Sequence, residues 1–309
     1  MPAARLLLAQ QQTATFTAGI DVVNLFATVR DKQGQVLRDL NKEDFLLQED
    51  RRPQVIRYFS KESDLPLKLG LLVDVSGSQR RLIPDERSAS FTFFDQVLRE
   101  IDSAFVIHFQ GQVELLQRFT VSRDSLERAL KNLDWPTEYA GRGSFPGRGP
   151  GGGGMRGRPA GGTALYDAVF LASNELMSKQ TGRKALIILT DGVDTASMVP
   201  IEDCIEAAQR ADTLVYSVLF EDAAYGGIGG NGRGALKDIS QVTGGRMLSV
   251  TKKRTINDVY ADIEEELRSM YSIGYTPDRA SGSPAYHKIH LTTREKGCVV
   301  QTRDGYYES

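Results

Sequence analysis

Three short stretches carry side-chain oxygens at spacings that suit one ion. Asp74, Ser76 and Ser78 alternate in "LLVDVSGSQRR", directly after an apolar run. Thr163 follows a Gly-Gly pair in "GGTALYDA", and Asp191 closes "ALIILTDG". A turn that sends alternate side chains the same way aims Asp74, Ser76 and Ser78 at one centre, with Val75 and Gly77 turned away. Five oxygen donors without histidine or cysteine suit a hard divalent cation, Mg²⁺ first and Mn²⁺ or Ca²⁺ after it, rather than zinc. Mg²⁺ takes about six oxygens and keeps some of its water. The hydroxyls bring no formal charge. If the two aspartates act through water, the ion stays electrophilic toward its open side, where a Glu or Asp carboxylate from a partner protein fits.

The elements around these residues predict where they meet. "LKLGLLVDV" and "KALIILTDG" are continuous apolar runs, the mark of strands buried on both faces. Between and after them come helical patterns, among them "DERSASFTFFDQVLREI" with Pro84 at its head, "SRDSLERALKNL", and "TALYDAVFLASNELMSK" with Thr163 as its cap. Strand and helix alternate over residues 67–270, which predicts an α/β fold with a doubly wound, mostly parallel sheet. The hairpin 104–119 is the antiparallel exception. In such sheets ligands bind outside the carboxyl ends of the strands, where all three oxygen clusters fall.

The flanks read differently. Residues 13–66 hold β-type runs such as "IDVVNLFATVRD", "VLRDL" and "PQVIRYF", and residues 271–309 add "YSIGYTP", "YHKIHLTTR" and "CVVQTRDGYY". Neither buries much alone, so the two ends are expected to pair into one small β-sandwich-like domain into which the α/β unit is inserted. Residues 1–12 read either as a signal remnant or as a frayed terminus. Residues 141–162 hold eleven glycines and four arginines, too little apolar surface to fix a conformation, and are expected to form a mobile loop beside Thr163, as a lid or spacer. With Phe145 as the one aromatic there, the stretch lacks the stacking residues of single-stranded RNA binders.

Composition narrows the function classes. A net charge of −2 over 309 residues excludes a bulk electrostatic nucleic-acid or membrane binder. No run reaches the 18 apolar residues of a membrane span. Two distant cysteines, Cys204 read as a helix core residue and Cys298 as a strand residue, make neither a zinc spacing nor a disulfide framework.

Asp74-Val-Ser76-Gly-Ser78, Thr163 in "GGTALYDA" and Asp191 in "LTDG" resemble the metal-ion-dependent adhesion site of von Willebrand factor type A domains. The resemblance covers residues 67–267 and fills all five family positions: Asp74, Ser76, Ser78, Thr163 and Asp191. It implies a Rossmann-like domain that binds protein ligands through a divalent cation. The flanks, "VRDKQGQVLRDLNKEDFLLQEDRRPQVIRYF" before and "YSIGYTP…YHKIHL…RDGYY" after, resemble a bacterial subfamily of related proteins first noted in acidobacteria. Its members commonly carry export signals, which implies a periplasmic or secreted location. The Gly/Arg insert is longer than the family core requires.

Plainer readings stand beside these. Asp74-x-Ser-x-Ser alone equally describes a strand-end turn with capping serines. Asp194 reads as a solvated loop acid and Asp167 as an acid favoured by a helix N-terminus. His108 reads as structural. His287 and His290, three apart on a strand, face opposite ways and make no metal pair. The acidic stripe of "TINDVYADIEEELRSM" reads as a solvated face. Three functions follow: a cation-dependent binding module without chemistry, a scaffold whose site stays empty, and a metal-assisted hydrolase. Against the last, "DVSGS" does not fit the G-x-S-x-G elbow, and a Ser76 that ligates an ion is no free nucleophile.

Overall fold

The structure is a computed structural model, and it describes residues 22–61, 65–77, 79, 82–133, 162–220, 232–278 and 285–308. The chain opens with strands β1 (Val23–Arg30), β2 (Phe45–Glu49), β3 (Arg52–Gln54) and β4 (Ile56–Lys61). It continues through β5 (Leu67–Asp74), α1 (Ile83–Val97), β6 (Ser103–Phe109), β7 (Val113–Thr120), α2 (Arg123–Lys131), α3 (Leu165–Leu171) and β8 (Arg183–Thr190). Then come α4 (Ile201–Arg210), β9 (Thr213–Phe220), α5 (Gly232–Thr243), β10 (Met247–Val250) and α6 (Ile256–Arg268). Strands β11 (Tyr271–Tyr275), β12 (Tyr286–Thr293), β13 (Val299–Gln301) and β14 (Gly305–Tyr307) close it.

The central sheet runs β10-β9-β8-β5-β6-β7, with every neighbour parallel except the β6–β7 hairpin. Every residue of β8 and β9 is buried, as continuous apolar runs require when helices cover both faces. Val73, Ile187 and Val218 pack one way against Phe93, Phe94 and Ile263 of α1 and α6. Leu72, Ile188 and Val215 pack the other way against Val169, Cys204 and Ile239 of α3, α4 and α5. The mixed α/β fold expected from the alternation is therefore present. From β5 the chain moves to β6 on one side, and from β8 to β9 on the other. The boundary between β5 and β8 is thus the sheet's topological switch point.

Three helix starts follow their sequence signals. Pro84 sits in the first turn of α1, Ser122 caps α2 through the Ser125 N–H, and Thr255 and Asp258 form a reciprocal box at α6. α1 stops at Val97, short of the predicted Ile101, because Leu98 turns extended. The Arg123 guanidinium then donates to the Phe94 and Leu98 carbonyls at 2.6 Å each. α3 relaxes into a π-helical turn over Ala172–Met177 instead of continuing as one regular helix.

Strands from the two chain ends form two four-stranded sheets, β13-β1-β11-β4 and β14-β12-β2-β3. Their inner faces share one core of Leu25, Val29, Phe45, Ile273, Tyr275 and Leu291. "VLRDL" is not a strand, contrary to expectation: it makes one bridge, Arg30 to Val36, and is held by the Tyr271 hydroxyl, which donates to the Leu37 carbonyl at 2.8 Å. Cys298 lies just before β13 rather than within a strand.

Between the β-sheets and the α/β unit, Glu266 of α6 is 1% exposed and pairs with both Arg30 of β1 and Arg246. Removing one member of a buried ionic cluster leaves the others uncompensated. Glu266→Ala is therefore expected to destabilise the chain by about 3–5 kcal/mol, measured as a fall in the urea midpoint at constant m-value.

Candidate metal centre

Asp74 ends β5, and its neighbour across the switch point, Thr190, ends β8. Parallel pairing carries Val73 alongside Leu189, so the next residues are brought together. The Thr190 hydroxyl donates to Asp74 Oδ2 at 2.6 Å and itself accepts from the Gly192 N–H at 3.0 Å. Asp74 Oδ1 accepts from the Ser76 N–H at 2.9 Å. Burial pushes the Asp74 carboxyl up to about 6, and the charge of Asp191 adds to the rise against hydrogen bonds from Thr190 and Ser76. Asp74, Ser76, Thr163 and Asp191 are all buried. Ser78 lies outside the described residues.

Gly192 has φ +84°, and a Cβ there would meet Gly232 and Leu236. The turn after Asp191 thus needs glycine on two counts, backbone sign and close approach of α5.

Thr163 reaches this edge by a different route. The Ala164 N–H donates to the Gln110 carbonyl just past β6 at 2.6 Å, and the Thr163 carbonyl accepts from the Thr195 and Ala196 N–H groups at 3.0 Å each. The Thr163 N–H donates to the Thr195 hydroxyl at 2.9 Å. Thr163 is not the helix cap that its position predicts. Asp194 does that work: its Oδ1 accepts from the Leu165 and Tyr166 N–H groups at 2.8 and 3.4 Å and from the Ser197 hydroxyl at 2.5 Å. Asp194 is therefore a structural cap rather than a solvated acid. It leaves the Thr163 hydroxyl with no hydrogen-bond partner among the described residues. Asp167 is 7% exposed and accepts at Oδ1 from the Met198 and Val199 N–H groups, pinning the far side of the same loop.

A further buried carboxyl stands near Asp74 that the sequence did not single out. Glu86 of α1 is 1% exposed, and neither of its oxygens has a hydrogen-bond partner among the described residues. Burial pushes it well above the usual range, with the charges of Asp74 and Asp85 adding. The available signal was its place on the buried stripe of α1 between Ile83 and Ser90.

The donor set fits a hard divalent cation. Asp74 and Asp191 face each other's charge, and among the described residues neither forms an ion pair with lysine, arginine or histidine. Two buried carboxylates without a counter-charge are what a divalent ion stabilises.

No protein-family model matches this sequence, and no curated protein sequence is significantly similar to it. Among solved structures, a von Willebrand factor type A protein from Catenulispora acidiphila superposes with a TM-score of 0.50 at 10% identity, covering 93% of this chain and 74% of its own. The α/β unit has the fold of a von Willebrand factor type A domain. BatB from Bacteroides thetaiotaomicron gives a TM-score of 0.45 at 16% identity over 65% of this chain and 97% of its own. Proximal thread matrix protein 1 from the mussel byssus, solved with zinc in its adhesion-site motif, gives 0.45 at 12% identity over 67% and 48%.

If Asp194 holds the N-terminus of α3, Asp194→Ala removes an N-terminal cap at a cost of about 1 kcal/mol. Hydrogen exchange at the Leu165 and Tyr166 amides is expected to quicken while β8 amides stay protected. Unchanged exchange at both amides would refute the assignment.

Proposed function

We propose that the chain is a divalent-cation-dependent protein-binding module, without catalytic chemistry, that captures an acidic side chain of a partner. The reading rests on two buried carboxylates, Asp74 and Asp191, with the charge of Asp191 felt at Asp74 and no cationic side chain paired to either among the described residues. Ser76, Thr163 and Asp191 stand with Asp74 as ligands or as holders of ligating water, and Ser78 joins them from the sequence pattern. Mg²⁺ is the ion this oxygen set favours, with Mn²⁺ or Ca²⁺ as substitutes. When bound, such an ion supplies an electrophilic face for a Glu or Asp carboxylate.

The remaining work is done by the protein. Thr190 fixes the Asp74 rotamer by donating to Oδ2. The Thr195 hydroxyl and the 195–196 amides fix the Thr163 backbone. Asp74, Ser76, Thr163 and Asp191 are buried, and burial strengthens a charge–charge contact with a bound ion. A Ser76 engaged by an ion is no free nucleophile, which argues for capture over turnover. The export signals common in the subfamily that the flanks resemble support a place outside the cytoplasm. No helix among the described residues is long and apolar enough to cross a membrane.

An ion that binds only the folded chain stabilises it by about 2.7 kcal/mol at a hundredfold excess over its dissociation constant. Thermal melting in Mg²⁺ is therefore expected at a higher temperature than in EDTA, with the difference abolished in Asp74→Ala and in Thr163→Ala. No shift in the parent chain would favour a scaffold with an empty site. Retained capture of an acidic partner by either variant would refute the bridge.

A further inference from the structure

A second group of ligands lies in the β-sheets, formed by residues far apart in sequence. β2 ends at Glu49, and the hairpin to β3 turns through Asp50 and Arg51, both with positive φ (48° and 67°). The Asp50 N–H donates to the Lys288 carbonyl at 2.9 Å, and its Oδ1 accepts from the Lys288 N–H at 3.0 Å. That clasp sets Asp50 Oδ2 at 2.8 Å from His287 Nδ1, on β12. Glu49 Oε1 approaches the same nitrogen at 3.5 Å. Glu49 Oε2 accepts from the Tyr275 and Tyr306 hydroxyls at 2.5 and 3.0 Å. Glu49 and His287 are buried, whereas the Asp50 side chain is 36% exposed and opens onto a cleft that Lys288 and His290 also line.

One ligand atom from each of Glu49, Asp50 and His287 lies within 4.8 Å of the other two. Ligands held at about 2.0–2.2 Å from one ion are at most about 4.4 Å apart, so a small rotamer adjustment closes the set. We propose that Glu49, Asp50 and His287 form a second divalent-metal site, separate from the Asp74 centre, that takes a borderline transition ion such as Zn²⁺ with water completing the shell on the Asp50 side.

The charge balance argues for the ion. Two carboxylates converge on one imidazole nitrogen, and among the described residues neither pairs with lysine or arginine. A proton on His287 balances one of them. Among the described residues His287 Nε2 is buried without a hydrogen-bond partner, so an imidazolium and a metal-bound imidazole bear the same cost of an unpaired N–H. A divalent ion carries the charge to balance both carboxylates, where a proton on His287 balances one. The donor chemistry follows: one imidazole and two carboxylates favour Zn²⁺ over Mg²⁺, which discriminates this site from the all-oxygen one. Tyr275 and Tyr306 supply the outer hydrogen bonds that hold Glu49 in place.

The test uses the full chain carrying Asp74→Ala, which removes the first centre. Isothermal titration with Zn²⁺ is expected to retain one equivalent. Adding Asp50→Asn, a residue that keeps the left-handed turn, is expected to weaken that equivalent at least tenfold, and His290→Gln to leave it intact. Pulsed EPR of the Mn²⁺-loaded Asp74→Ala chain should carry a nitrogen coupling that His287→Gln abolishes. With three histidines in the chain, the His290→Gln control leaves His108 as the one rival source. No Zn²⁺ binding by Asp74→Ala, unchanged affinity in Asp50→Asn, or a nitrogen coupling that survives His287→Gln would overturn the site. None of these results bears on the Mg²⁺-dependent melting of the parent chain.

Discussion

A single hydrogen bond across the switch point sets the geometry on which the candidate centre depends. The Thr190 hydroxyl at the end of β8 donates to Asp74 at the end of β5 and accepts from the Gly192 amide two residues on. It therefore ties one carboxylate to the turn that carries the other. Parallel strands end level with each other only where their register is locked. Here the lock is the all-apolar pairing of Leu69 through Val73 with Ala185 through Leu189. The burial that makes this sheet stable is also what raises the cost of two carboxylates at its rim. Fold and site thus share one cause.

Thr163 is positioned by a second device, because it belongs to no strand. The loop after β8 supplies Asp194 as cap, Thr195 as a hydroxyl acceptor and backbone anchor, and Ser197 as a bridge, with Asp167 answering from α3. An ordinary cap residue at Thr163 would have spent its hydroxyl on the helix. Moving the capping task to a loop acid leaves that hydroxyl uncommitted.

Much of this was legible in the residues. The apolar runs in "LKLGLLVDV" and "KALIILTDG" announced buried parallel strands, and Asp74 and Asp191 lie at the ends of two such neighbours because strands of one sheet share a direction. What escaped was non-local or conditional. Asp194 looked solvated because its helix partners lie about 30 residues away in sequence. Glu49 and Asp50 meet His287 only through strand pairing across more than 230 residues. "VLRDL" has the composition of a strand, yet the edge it would need is taken: Thr28, Val29 and Arg30 of β1 pair with β13 from the far end of the chain. His287 was rightly separated from His290, since alternate burial along β12 sends them to opposite faces. The spacing rule that excluded a histidine pair had nothing to say about carboxylates arriving from another strand.

The same long-range pairing orders how the parts depend on each other. β1 pairs β11, and β2 pairs β12, so neither four-stranded sheet is complete until the last residues are in place. The α/β unit lies between these strands in sequence, and its contacts are more local. Closing a long loop costs entropy that grows only with the logarithm of its length, and a folded α/β unit shortens the effective span by fixing where its ends emerge. α6 ends at Arg268 and β11 begins at Tyr271, which leaves almost no slack between the two units. Glu266, paired with Arg30 one turn before that junction, fixes the last helix to the first strand. The β-sheets are therefore tied directly to the domain whose rim carries Asp74 and Asp191.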